Sequence, residues 1–422
     1  VAAPGVPESE HPFILVAREL APADTAVLDL DKVLAVVTAE GGPTSHTAIL
    51  AREKSIVAVV GVAGADQIAD GETVIVDAGS GIITLDPTEQ ECADAGAAAH
   101  AGATVAAELG PGRLADGTPI PLLANLGSAD QADEAVRLGA EGVGLFRTEF
   151  LFLDAEQPPS VAAQREQYAR LLTAFDGHKV VVRVLDAGAD KPLAFLNDAD
   201  EPNPALGLRG LRALRQNEAI LRDQLTALVA AAAQARDEGA TVDLWVMAPM
   251  VATVEETAYF VRLATELGVQ TAGVMIEVPA AALMAQQILG PADFVSIGTN
   301  DLTQYTLAAD RVLGSVAAFQ DPWHPAVLRL IGEVGAAGAA LHKPVGVCGE
   351  AAADPLLAAV LVGLGVTSLS MSPSALAGVR AELHRHTLVR TQALAAIALA
   401  ADGAAAARAA VIAAVDADSH RE

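Results

Sequence analysis

Phe294-Val295-Ser296-Ile297-Gly298-Thr299-Asn300-Asp301-Leu302-Thr303-Gln304-Tyr305-Thr306-Leu307 reads as one complete strand-to-helix unit. Residues 294–298 form an apolar run of the kind that fills a strand buried on both faces, and a polar turn then leads into a helical pattern. Working outward from it, seven more apolar runs follow the same plan, at 120–126, 142–146, 180–185, 244–250, 273–278, 345–348 and 368–371. Eight β/α units over this length predict a (β/α)8 barrel of the TIM type.

In such a barrel, chemistry sits where the strands end at their carboxyl side. The residues at those ends are Asn125, Arg147, Arg183 with Asp186, Met250, Glu277, Asn300 with Asp301, Cys348 with Glu350, and Ser372. They are mostly polar, whereas the strand bodies are apolar. Arg147 and Arg183, with Arg209 and Arg311 as further candidates, offer guanidinium forks that match phosphate and carboxylate oxygens. For any one of them a surface ion pair is the competing reading. Glu277 and Asp301, at the ends of adjacent strands five and six, suit one hard cation such as magnesium, which takes carboxylate and substrate oxygens. The plainer alternative is a helix-capping Asp301 and a solvated Glu277. Cys348 reads either as an ordinary buried small residue or as a thiol that exchanges a proton. Lys191 is expected to pair with Asp190, the Glu255-Glu256 and 209–215 runs to form solvated helix faces, and both tryptophans to pack.

Upstream, short β-rich runs at 13–16, 33–37, 56–60, 73–76 and 82–85 surround one helical pattern. That helix starts at Gly41-Gly42-Pro43-Thr44-Ser45-His46-Thr47-Ala48-Ile49-Leu50-Ala51-Arg52, with His46 in its first turn. Unpaired backbone N–H groups and the positive end of the helix dipole favour an anion there, so the ring suits a temporary phosphate carrier. The competing reading is a capped or solvated histidine. The expected organisation is a linker at 1–12, a small swivelling α/β phosphohistidine domain at 13–87, a helical connector at 88–112 and the barrel at 113–422.

A formal charge of −27 argues against a nucleic-acid surface. The hydrophobic fraction is 52%, much of it alanine, and charges interrupt the apolar stretch 393–415, so no membrane span is expected. Cys92 and Cys348 stand in unrelated contexts, which suits a reducing cytoplasm. The chain begins with Val1 and no signal peptide is read, so a piece of a longer protein is expected.

Four motifs together resemble the enzyme I family of the bacterial phosphoenolpyruvate-dependent sugar phosphotransferase system. They are the Gly41-to-Arg52 stretch, Gly144-Leu145-Phe146-Arg147-Thr148-Glu149-Phe150-Leu151, Gly207-Leu208-Arg209-Gly210-Leu211-Arg212, and the 298–307 stretch continuing to Asp310-Arg311. The resemblance implies that His46 takes the phosphoryl group of phosphoenolpyruvate on Nε2 for onward transfer to the phosphocarrier HPr. It implies that Arg147, Arg183, Arg209, Asn300, Asp301 and Arg311 contact substrate, and that Glu277 and Asp301 hold magnesium. Cys348 is then the proton donor, and the barrel forms a homodimer. Ala189, Ala353 and Val312 stand where the family has glycines. The helical subdomain with which the family docks HPr is not found in this sequence. Two other readings compete: a regulatory phosphorelay paralogue with an upstream sensor, and a fragment like pyruvate phosphate dikinase or phosphoenolpyruvate synthase.

Overall fold

A computed structural model describes residues 11–18, 20, 32–40, 57–77, 81–93, 95–96, 110–152, 155, 157–187, 193, 195–196, 201–311 and 313–419. His46 and its preceding turn, Asp190 with Lys191, and the substituted positions Ala189 and Val312 lie outside the described residues. The chain divides into two compact units, Val1–Thr104 with Ala309–Gln320, and Val105–Ala308 with Asp321–Glu422.

In the first unit, β1 (Phe13–Ala17), β2 (Val33–Thr38) and β3 (Val57–Val59) form a parallel sheet in that order. Ala35, Val36, Val37 and Thr38 of β2 are buried while Leu34 is exposed, so both faces of the strand are covered towards its carboxyl end. β4 (Val74–Asp77) and β5 (Ile82–Leu85) make an antiparallel pair. Helix begins at Glu89. Thr88 and Glu91 exchange bonds there: the Glu91 N–H donates to Thr88 Oγ1 at 3.2 Å, and the Thr88 N–H donates to the Glu91 carboxylate at 2.7 Å. This Thr-x-x-Glu pairing is a capping box, and it satisfies backbone donors that a helix start leaves open.

The second unit is a closed parallel barrel of eight strands. They are β6 (Leu122–Leu126), β7 (Gly142–Arg147), β8 (Lys179–Arg183), β9 (Asp243–Val251), β10 (Thr271–Ile276), β11 (Val295–Ile297), β12 (Val345–Cys348) and β13 (Ser368–Met371). Each lies at one of the predicted runs. β10 stops short of the expected end because Val278 leaves the ladder to become the N-cap of the helix Pro279–Leu283, and Pro279 suits the first helical position.

Most of the core lies between the strands and their surrounding helices, where Val182, Val246, Val274, Ile276 and Leu369 meet Leu228, Phe260, Ile331 and Leu361. A smaller cluster of Leu145, Val181, Met247, Met275, Phe294 and Cys348 is separate from it. Trp323 is buried and donates to Asp354 at 2.9 Å, and Trp245 packs on Phe294 with ring centroids 4.7 Å apart, as expected of packing residues.

Two expectations fail here. Glu256 is buried, not solvated: its carboxylate closes a capping box with Thr253 at the start of the helix Val254–Glu266. Arg209 is not on a helix face, because the helix begins at Leu211 after Gly210. Among the described residues, no helix is long and apolar enough to cross a membrane.

Candidate active site

Parallel strands deliver their last residues to one mouth of the barrel, so Arg147, Arg183, Met250, Glu277, Asn300 and Cys348 reach the same end. Arg147 and Arg183 are register partners on β7 and β8. Two like charges side by side on neighbouring strands repel, and the chain supplies the counter-charge two residues on. Glu149 is buried and ion-paired to Arg183 Nη2, while Asp186 accepts from Arg183 Nη1 at 3.1 Å. The Arg147 guanidinium lies 5.8 Å from the centroid of the Phe150 ring.

Arg209 joins the other side of the mouth. Its Nη1 donates to Asp301 Oδ1 at 2.8 Å, its Nη2 to Asp301 Oδ2 at 3.1 Å, and Nη2 also reaches Asp186 Oδ2 at 3.2 Å. The next residue makes this approach possible. Gly210 has φ 56° and ψ −130°, a conformation L side chains avoid, and a Cβ there would sit 2.9 Å from the Met250 Cβ and 3.3 Å from Asp186 Oδ1. Met250 itself adopts φ 58° near the end of β9, and its N–H donates to Glu277 Oε2 at 2.8 Å. A non-glycine residue in that region carries backbone strain, and such strain gathers where function over-determines the chain.

Glu277 is fully enclosed. Burial, with the nearby charges of Asp301 and Asp186, pushes its pKa up to about 8 against the opposing pull of Arg183 and Arg209. Burial acts to raise Asp186 too, but Arg209 and Arg183 outweigh it and hold that carboxyl below its ordinary range. The mouth therefore holds carboxylates whose mutual repulsion its arginines only partly offset. A hard cation between Glu277 and Asp301 would relieve it, and a carboxylate oxygen bound by an arginine retains a further acceptor direction. Among the described residues no group of three or more His, Cys, Asp or Glu side chains gathers as a metal cluster. Two carboxylates with substrate and water oxygens are the usual protein share of a magnesium site, so this pair fits one.

Asn300 Oδ1 accepts from the Glu350 N–H at 3.3 Å, which ties the loop after β12 to the turn after β11. Cys348 is buried, with its Sγ 3.0 Å from Ser296 Oγ. Burial pushes its thiol up to about 11, against the Ser296 hydrogen bond. The cationic Arg183 and Arg147 pull in the same direction as Ser296, but burial outweighs all three and keeps the thiol neutral. Arg311 falls in the 309–320 segment, which is grouped with the first unit.

Comparison with known proteins now bears on this arrangement. Residues 105–388 match the family model described as PEP-utilising enzyme, PEP-binding domain, and residues 9–81 match PEP-utilising enzyme, mobile domain. A phosphoenolpyruvate-protein phosphotransferase of Streptomyces coelicolor is 54% identical over 97% of this chain and 73% of its own length. The chain belongs to the phosphoenolpyruvate-protein phosphotransferase family. Another phosphotransferase of that name, from Haloferax volcanii, is 45% identical over 85% of this chain and 64% of its own length. A multiphosphoryl transfer protein of Rhodobacter capsulatus is 42% identical over 93% of this chain, which spans only 48% of that relative.

In this member of the phosphotransferase family, Arg147, Arg183, Arg209, Glu277, Asp301 and Cys348, all singled out in the sequence, lie at one mouth of the barrel. Sequence reasoning gave no role to Glu149, although the acid lies two positions beyond Arg147 in a quoted motif. Ser296 also went unremarked, because a hydroxyl inside an apolar strand reads as a tolerated small residue.

Proposed function

We propose that this chain moves the phosphoryl group of phosphoenolpyruvate onto His46 Nε2 and releases pyruvate, and that the phosphohistidine then supplies HPr in cytoplasmic sugar uptake. The observation that carries this reading is the gathering of Arg147, Arg183, Arg209, Asn300, Glu277, Asp301 and Cys348 at one barrel mouth. The guanidinium groups hold the carboxylate and phosphoryl oxygens of the substrate, and Asn300 and Arg311 complete the contacts. Arg209 turns from Asp301 towards the phosphoryl group as substrate enters. Glu277 and Asp301 hold magnesium, which supplies charge neutralisation at the transferring group.

In the reaction the P–O bond to the enol oxygen breaks while a P–N bond forms to neutral His46. A loose phosphoryl-transfer transition state asks mainly for positioning and for neutralised oxygens. The enolate left behind takes a proton at its terminal carbon from the Cys348 thiol, giving pyruvate and a thiolate. In this reading residues 13–87 carry the phosphohistidine, 88–112 connect, and 113–422 bind substrate and pair two chains into a homodimer.

Incubation with phosphoenolpyruvate labelled in its phosphoryl group, with magnesium, is expected to place acid-labile label on the chain and none on His46→Ala. Equal label on both chains would refute the assignment.

A further inference from the structure

The mouth opposite the active site holds a small solvent-open pocket of about 20 Å³, room for a single water. Lys179, Phe294, Pro344 and Ser368, which begin or precede their strands, place it at the amino-terminal end of the barrel. Ser296, the middle residue of β11, also lines this pocket, and its Oγ lies 3.0 Å from Cys348 Sγ. One hydroxyl therefore faces an aqueous pocket on one side and the thiol on the other. The neighbouring strand leaves the way open: a Cβ on Gly346 would sit 3.7 Å from Ser296 Oγ and 3.1 Å from Ser368 Oγ, in the space between the two hydroxyls. Apolar Leu145, Val181, Met247, Met275 and Phe294 pack with the thiol, so they offer it no other hydroxyl.

We propose that Ser296 is a relay residue that returns a proton to Cys348 from water at the amino-terminal mouth of the barrel. The proposal rests on the reading of Cys348 as the proton donor. Once the thiol has given its proton to the enolate carbon, product occupies the carboxyl mouth and blocks solvent on that side. The thiolate then takes the Ser296 hydroxyl proton, and Ser296 Oγ takes one from water in the pocket. That water is restored from bulk, so each turnover draws one proton in through the barrel floor. The pocket is large enough to admit water, and bonds through water serve nearly as well as direct ones.

The test uses the full chain carrying Cys92→Ser, so that Cys348 is the single thiol. The S–H stretch is followed by infrared spectroscopy after transfer into D2O with saturating pyruvate and magnesium, so that the carboxyl mouth is occupied. Conversion to S–D is expected to slow at least tenfold in Ser296→Ala, which lacks the hydroxyl. It is expected to slow likewise in Gly346→Ala, which keeps both hydroxyl and thiol and narrows the passage. Ser296→Thr is expected to restore the parent rate. Parent-like exchange in either folded alanine variant overturns the relay. Isotope exchange between pyruvate and phosphoenolpyruvate in Cys348→Ala reports separately on the donor: undiminished exchange there removes Cys348 from the reaction, while the S–H measurement still decides whether Ser296 serves the thiol.

Discussion

Replacing Gly298 by alanine tests whether the position of Glu277 depends on a missing side chain. Gly298 has φ −89° and ψ 91°, which any residue adopts, so the backbone raises no objection. The space does. A Cβ at 298 would lie 2.6 Å from Glu277 Oε1, 2.7 Å from its Cγ and 3.0 Å from its Cδ. The glutamate has little room to yield, because its other oxygen accepts the Met250 N–H at 2.8 Å and the side chain is buried. Moving it leaves the buried Met250 N–H without its acceptor, about 1–3 kcal/mol, and overpacking adds roughly 1–3 kcal/mol. Gly298→Ala should therefore lose about 2–6 kcal/mol in urea denaturation, and its magnesium-dependent labelling of His46 should fall at least a hundredfold. Gly403→Ala, where an added Cβ meets nothing within 4 Å, is the control and should stay within about 0.5 kcal/mol. A Gly298→Ala chain as stable and active as its parent would show that Glu277 is not held against that turn.

Two further outcomes follow from the charges at the mouth. Arg209→Met removes the guanidinium that buried Asp186 and Asp301 share and should cost about 3–5 kcal/mol at pH 8. Asp186 has a depressed pKa in the parent, so its pairing stabilises the fold above the unfolded value and is lost as pH falls through the folded one. The deficit of Arg209→Met should accordingly shrink between pH 8 and pH 5, as those carboxylates take up protons; a constant gap in urea denaturation would contradict this. Cys348, with its thiol near 11, should be alkylated by iodoacetamide about tenfold faster per pH unit from 8 to 10 in a Cys92→Ser chain. A rate that levels off below pH 9 would show that the thiol ionises more easily than its burial dictates.

The barrel was legible because its signals are local. Val345–Cys348 and Ser368–Met371 begin and end at the bounds read from the sequence, because a strand buried on both faces stands out as a short run closed off by turns. The mouth was half legible for a related reason: ends of parallel strands share one side, so reading each end in turn gathers Arg147, Glu277 and Cys348 without any knowledge of contacts. What the sequence could not show is which side chain answers which. Arg209 looked like part of an exposed helix, since three arginines within 209–215 at near-helical spacing carry the pattern of a solvated face. Only the tertiary fold brings Asp186, 23 positions upstream, and Asp301, 92 downstream, within reach of one guanidinium.

The pairing of Arg147 with Arg183 in register shows why such places resist prediction from folding rules. Those rules would set opposite charges or apolar residues side by side on neighbouring strands, yet here two guanidinium groups meet and a buried Glu149 is brought in to steady one of them. A fold gains nothing from that arrangement that two valines would not supply at less cost. In the proposed function its use lies in an anion with several oxygens, because the carboxylates that hold Arg183 and Arg209 are partners that substrate and cation would relieve. Local rules fail here because this site is arranged for charges that the chain itself does not carry.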